Sequence, residues 1–65
     1  MELRINGEDK SIDASSLKDA VITMGLDPAR VAVELNGRIV PRADFDNVSL
    51  KNGDSLEIVH FVGGG

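Results

Sequence analysis

The chain of 65 residues has no cysteine, no tryptophan and no tyrosine, and it has one histidine, His60. The lack of cysteine excludes disulfides, thiolate metal sites and a catalytic thiol. One histidine cannot build a zinc site on its own, and no metal is expected. Without tryptophan or tyrosine there is little flat surface on which bases could stack. Eleven acidic against seven basic residues leave a net charge of −4, which opposes a phosphate backbone, so nucleic acid is not an expected partner. No apolar run approaches the roughly 20 residues of a membrane span, so no membrane partner is expected either. The opening Met1-Glu2-Leu3-Arg4-Ile5 lacks the apolar stretch and cleavage site of a signal peptide. These absences fit a reducing cytoplasm. An acidic domain of this size either meets a basic protein surface or is simply kept soluble by its charge.

What is present reads as an α+β domain. Leu3 and Ile5 alternate with Glu2 and Arg4, the two-residue period of a half-buried strand, and Asn6-Gly7 signals a hairpin. The return strand, about Asp9 to Asp13, is polar and suits a sheet edge. Leu17, Ala20, Val21 and Met24 then share one helical face, with Ser15 or Ser16 as N-cap, Asp19 in the capping-box position and Gly25-Leu26 as a C-terminal stop. The spacing predicts a helix of about ten residues, too short to stand without packing on a sheet. Val31 to Leu35 forms a third strand. Asn36-Gly37 turns it into Arg38-Ile39-Val40, which Pro41 stops. Residues Arg42 to Asn47 form an irregular segment or one tight helical turn, anchored by Phe45. Val48 and Leu50 follow as a short apolar pair, and Asn52-Gly53-Asp54 turns into a final strand.

That final strand, Ser55 to Val62, is the most apolar in the chain. It belongs in the middle of the sheet beside the first strand, because an edge cannot safely carry so much apolar surface. If Leu56 and Ile58 face the helix, Val59 and Phe61 face away from it. They are then either covered by loops or exposed as a docking surface. Gly63-Gly64-Gly65 ends the chain. Three glycines in a row arise by chance roughly 3 times in 10,000, which sets this ending apart from ordinary terminal wear. Glycine has nothing to bury, so the expected division is a domain over 1–62 and a flexible tail over 63–65.

No catalytic constellation accompanies this pattern. His60 has no serine and aspartate arranged around it as a triad, and reads as a residue at the sheet rim or a contact near the tail. Asp44 and Asp46 lack the further ligands of a calcium loop and read as turn formers. The carboxylate of Gly65 is left as the candidate functional group.

The order of elements, with Val31-Ala32-Val33-Glu34-Leu35-Asn36-Gly37, Ile39-Val40-Pro41-Arg42, Asn52-Gly53-Asp54 and Glu57-Ile58-Val59-His60-Phe61-Val62-Gly63-Gly64-Gly65, closely resembles the ThiS family of thiamine-biosynthesis sulfur carriers over essentially the whole chain. A terminal Gly-Gly alone is less specific, since molybdopterin-synthase small subunits, tRNA-thiolation carriers and ubiquitin-like modifiers share it. The resemblance implies a ubiquitin-like β-grasp fold, a mixed sheet of about five strands with one main helix across one face. It implies a carrier rather than an enzyme, monomeric when free. It binds no cofactor itself. A ThiF-like adenylating enzyme uses ATP to activate the Gly65 carboxylate. A cysteine-desulfurase-type source supplies sulfur to make a thiocarboxylate, and a ThiG-like thiazole synthase receives that sulfur. Gly63 and Gly64 would thread into the partner, with Val59, Phe61 and Val62 as docking residues. Two alternatives stay open: a carrier for molybdopterin synthesis or tRNA thiolation, and a β-grasp interaction module whose glycine tail is incidental.

Overall fold

Two Asn-Gly pairs set the sheet. In a computed structural model that describes residues 1–61, Asn6 and Gly7 hold φ of 51° and 83°, and Asn36 and Gly37 hold 51° and 86°. Positive φ at both central residues is what a two-residue type I′ hairpin requires. The first pair joins β1 (Glu2–Ile5) to β2 (Glu8–Ser11), with Ile5 opposite Glu8. The second joins β3 (Val31–Leu35) to β4 (Arg38–Val40), with Leu35 opposite Arg38. The last strand, β5 (Ser55–His60), lies between the hairpins, parallel to β1 and antiparallel to β3. The order is β2-β1-β5-β3-β4. The apolar strand thus takes the centre, and the polar β2 takes an edge, where every one of its side chains is exposed.

The helix α1 (Leu17–Thr23) is capped at both ends, and this explains why it has 7 residues rather than about ten. Ser16 is the N-cap: its Oγ accepts the Asp19 N–H at 3.1 Å. The Asp19 carboxylate accepts from the Ser15 hydroxyl at 3.1 Å, so it steadies the cap from outside it. Met24 is the C-cap, and Gly25 follows with φ of 80°. The Gly25 N–H donates to Ile22 and the Leu26 N–H to Val21, the two bonds of a Schellman stop.

Leu17, Ala20 and Val21 of α1 are buried against Leu3 and Ile5 of β1, Val31 and Val33 of β3, and Leu56 and Ile58 of β5. Ile12, just past the end of β2, and Phe45 and Leu50, from the connection before β5, complete this core. The connection is tied to the helix start: Leu17 N–H donates to the Val48 carbonyl and Leu50 N–H to that of Ser15. Short 3₁₀ turns at Pro28–Arg30 and Arg42–Asp44 finish the chain path. Arg42 links them, since its Nε donates to the Pro28 carbonyl at 3.0 Å and its Nη2 to that of Val31 at 3.2 Å. A mixed sheet with one helix across one face is the ubiquitin-like β-grasp architecture.

Candidate docking face at the end of the central strand

β5 alternates from Leu56 to Val59. Leu56 and Ile58 are buried beneath the helix, and Glu57 and Val59 point to the face that no helix covers. Val59 is 57% exposed and Phe61 52%, so no loop among the described residues covers them. The apolar pattern predicts a strand to Val62; among the described residues β5 ends at His60. Phe61 is nonetheless held at its backbone, because its N–H donates to the Arg30 carbonyl at 2.7 Å. Val62, Gly63, Gly64 and Gly65, and with them the division at 62 and 63, lie outside the described residues.

Ile39 joins this face and is its most exposed apolar side chain, at 76%. Sequence reading placed Ile39 on β4 without assigning it a face. The signal was there: a two-residue turn at Asn36-Gly37 sets Ile39 opposite Glu34, out of phase with the buried Val33. Ala32, opposite Val59, and Glu34, opposite Glu57, also face outward. Together these residues line a shallow depression of about 130 Å³.

Two asparagines hold the strand that carries the face. Beyond the last β1–β5 pair, Asn6 Oδ1 accepts the Ile58 N–H at 2.7 Å and Asn6 Nδ2 donates to the Ile58 carbonyl at 3.2 Å. At the other end of β5, Asn36 Oδ1 accepts the Ser55 N–H at 2.9 Å, and Asn36 Nδ2 donates to Asp54 Oδ1 at 3.0 Å. Asp54 is buried, at 7% exposure, and its Oδ2 accepts the Lys51 N–H at 2.8 Å. Burial acts to raise the Asp54 pKa, but the bonds from Asn36 and Lys51 and the Lys51 charge outweigh it and hold the carboxyl below its ordinary value.

His60 is exposed at the sheet rim, where it lines a groove of about 530 Å³ with Met24, Leu26, Glu8 and Lys10. Asp46 pairs with Lys18 at 3.3 Å, and Asp44 lies in a 3₁₀ turn. Among the described residues no three His, Asp or Glu side chains converge as a metal site, and no helix is long and apolar enough to cross a membrane.

Fold and face together define a ubiquitin-like β-grasp domain whose central strand ends beneath exposed apolar side chains. More narrowly, the chain belongs to the ThiS family, whose family model matches residues 3–65. It is 37% identical over 65 residues to the sulfur carrier protein ThiS of Bacillus subtilis, covering 97% of this chain and 98% of that one. It is 46% identical over 66 residues to a thiazole synthase of Paramagnetospirillum magneticum. That alignment takes in 100% of this chain and 20% of the synthase, so the chain spans about a fifth of that relative's length. The solved structure of the thiamine biosynthesis protein ThiS from Geobacter metallireducens superposes with a TM-score of 0.83 at 32% identity, covering 100% of both chains.

Proposed function

We propose that the chain is a sulfur carrier for the thiazole ring of thiamine, with the Gly65 carboxylate as the carrying group. The observation that supports this most is the end-to-end match with a sulfur carrier protein ThiS, 97% of one chain against 98% of the other. A carboxylate is a poor acyl donor because its leaving group would be an oxide. A ThiF-like enzyme overcomes this by joining the Gly65 carboxylate to AMP from ATP and releasing pyrophosphate. A persulfide from a cysteine-desulfurase-type source attacks the acyl carbon and AMP departs. A thiol then cleaves the sulfur–sulfur bond and leaves the thiocarboxylate. A ThiG-like thiazole synthase takes up this sulfur, and the match to thiazole synthases supports that partner.

In this reading the chain provides a group to be activated and leaves catalysis to its partners, in the cytoplasm. Residues 1–62 form the domain and 63–65 the tail. Gly63 and Gly64 have no Cβ, so a narrow channel can admit them. Val59, Phe61 and Val62 meet the partner's surface around the channel mouth. The absence of cysteine removes an internal thiol that would compete for the activated acyl group.

Reconstituted thiazole formation tests the assignment. The full chain supports it with the adenylating enzyme, ATP, a sulfur source and thiazole synthase, and the chain lacking Gly65 does not. Thiazole formation by the shortened chain would show that Gly65 is not the carrying group.

A further inference from the structure

Asparagine followed by glycine is the residue pair most prone to spontaneous deamidation, and the chain holds three: Asn6-Gly7, Asn36-Gly37 and Asn52-Gly53. The glycine nitrogen, with no Cβ beside it, attacks the asparagine Cγ. A Cγ–N bond forms, the Cγ–Nδ2 bond breaks, and ammonia leaves with the displaced proton. Water then opens the succinimide. Breaking the new Cγ–N bond gives aspartate; breaking the bond from the asparagine carbonyl carbon to that nitrogen gives isoaspartate. The fourth asparagine, Asn47, precedes Val48, whose branched Cβ crowds the nitrogen. All three Asn-Gly pairs are exposed, so access of water does not rank them. Hydrogen bonds do.

Both amide atoms of Asn6 are tied to Ile58, a buried residue of β5 that pairs with Val33. Both amide atoms of Asn36 are tied at the start of β5, Oδ1 to the Ser55 N–H and Nδ2 to the buried Asp54. The backbone N–H groups of Asn6 and Asn36 donate to Leu56 and Ser55 as well. Freeing either side chain therefore means releasing the central strand. Asn52 differs. Its Oδ1 accepts the Glu2 N–H at 2.9 Å, and among the described residues its Nδ2 has no hydrogen-bond partner. The attacking Gly53 N–H donates to the Glu2 carbonyl at 2.8 Å. Both guards are thus one residue. Glu2 is exposed, it is the first residue of β1, and it precedes the first β1–β5 pair, Arg4 with Ser55. Strand ends open at little cost in free energy, whereas core strands open only with the whole domain.

We infer that Asn52 is the site at which the folded chain is modified by spontaneous deamidation, and that the clamps of Asn6 and Asn36 on β5 protect those two residues from the same reaction. The reaction consumes water, releases ammonia and adds one negative charge. It falls in the turn before β5, at the opposite end of that strand from Phe61. An aspartate product keeps an oxygen for the Glu2 N–H. An isoaspartate product lengthens the main chain by one carbon and draws Gly53 away from Glu2.

The full chain is held in warm, mildly alkaline buffer with and without urea, then digested with trypsin. The enzyme leaves Asn6, Asn36 and Asn52 in separate peptides, residues 5–10, 31–38 and 52–65. Mass spectrometry follows the change of amide to acid in each. In the folded chain, conversion at Asn52 outpaces that at Asn6 and Asn36 by about tenfold or more, and in urea the three rates converge. Gly25→Ala weakens the helix stop and raises the unfolded fraction by about 5- to 30-fold. The rates at Asn6 and Asn36 rise with it, while that at Asn52 stays. Glu2→Pro deletes the N–H that holds Asn52 Oδ1, at a strand-end position where proline is tolerated, and speeds conversion at Asn52 alone. Conversion of Asn6 or Asn36 as fast as Asn52 in the folded chain would overturn the inference. So would a rate at Asn52 that climbs in step with the unfolded fraction, or one that Glu2→Pro leaves unchanged, since Glu2 would then not be the guard.

Discussion

The side chain of Asn6 exchanges two hydrogen bonds with the backbone of Ile58, 52 residues away, and so adds a rung to the sheet after β1 has ended. The residue that turns the first hairpin is therefore also a clamp on the central strand. Asn36 of the second hairpin holds Ser55 differently: its Oδ1 accepts the Ser55 N–H, and its own backbone N–H donates to the Ser55 carbonyl. The strand that leads to the tail is held from both sides by the turns that begin its neighbours' return.

Replacing Asn6 separates its two roles. Asn6→Gly keeps a residue at ease with φ of 51° but loses both bonds to Ile58. Two hydrogen bonds contribute about 1–3 kcal/mol, so urea unfolding should show a loss of that order. Asn6→Ala should lose more, because alanine is strained at positive φ. Wild-type stability for Asn6→Gly would mean that the clamp contributes nothing.

Asp54 makes stability depend on acid. Its pKa in the folded chain is lowered, so the unfolded chain binds the proton more readily. The contribution is complete above the unfolded value, near 3.9, and is lost as pH falls through the folded one. Asp54→Asn should flatten the fall of stability below about pH 4. It should also destabilise the chain at neutral pH, since an amide cannot accept from both Asn36 and Lys51 as the two carboxylate oxygens do. An unaltered acid limb in urea titrations would remove Asp54 from the account.

Gly25→Ala tests the helix stop. No atom lies within 4 Å of the Cβ it would add, so any effect comes from the backbone at φ of 80°. The expected loss is about 1–2 kcal/mol in thermal or urea unfolding. No loss would show that the Schellman stop tolerates a side chain.

Gly64→Val should fold as the wild type does, since the buried core is built from residues between Leu3 and Ile58. If the tail threads into its partner as proposed, adenylation and sulfur loading should be abolished, because a branched Cβ would not pass a channel narrow enough to need glycine. Normal loading with unchanged circular dichroism would argue against a tight channel.

Much of the fold was legible because it is encoded locally. Leu3 and Ile5 announce a strand by period, Asn6-Gly7 and Asn36-Gly37 announce hairpins, and Leu17, Ala20, Val21 and Met24 announce a helix by spacing. The central place of β5 followed from its apolar content. What escaped was polar and distant in sequence. Asp54 reads as a turn residue, and its burial depends on Asn36, 18 residues away. Arg42 reads as a motif position, and its role depends on carbonyls of Pro28 and Val31. Strand phase alone marks Val59 and Phe61 as candidates, but Ile39 and the Glu34–Glu57 pair emerge only from the β3–β4 and β3–β5 registers. Phase within one strand can be counted along a sequence; which strands lie side by side is a property of the folded chain.

The mass of the C-terminal peptide tests the central claim most directly. The chain is incubated with a ThiF-family enzyme, ATP and a persulfide sulfur source, then analysed by mass spectrometry. The account predicts that one oxygen of the Gly65 carboxylate is replaced by sulfur, and that omitting ATP prevents it. An unchanged mass, with an enzyme that loads another ThiS protein in the same mixture, would contradict it.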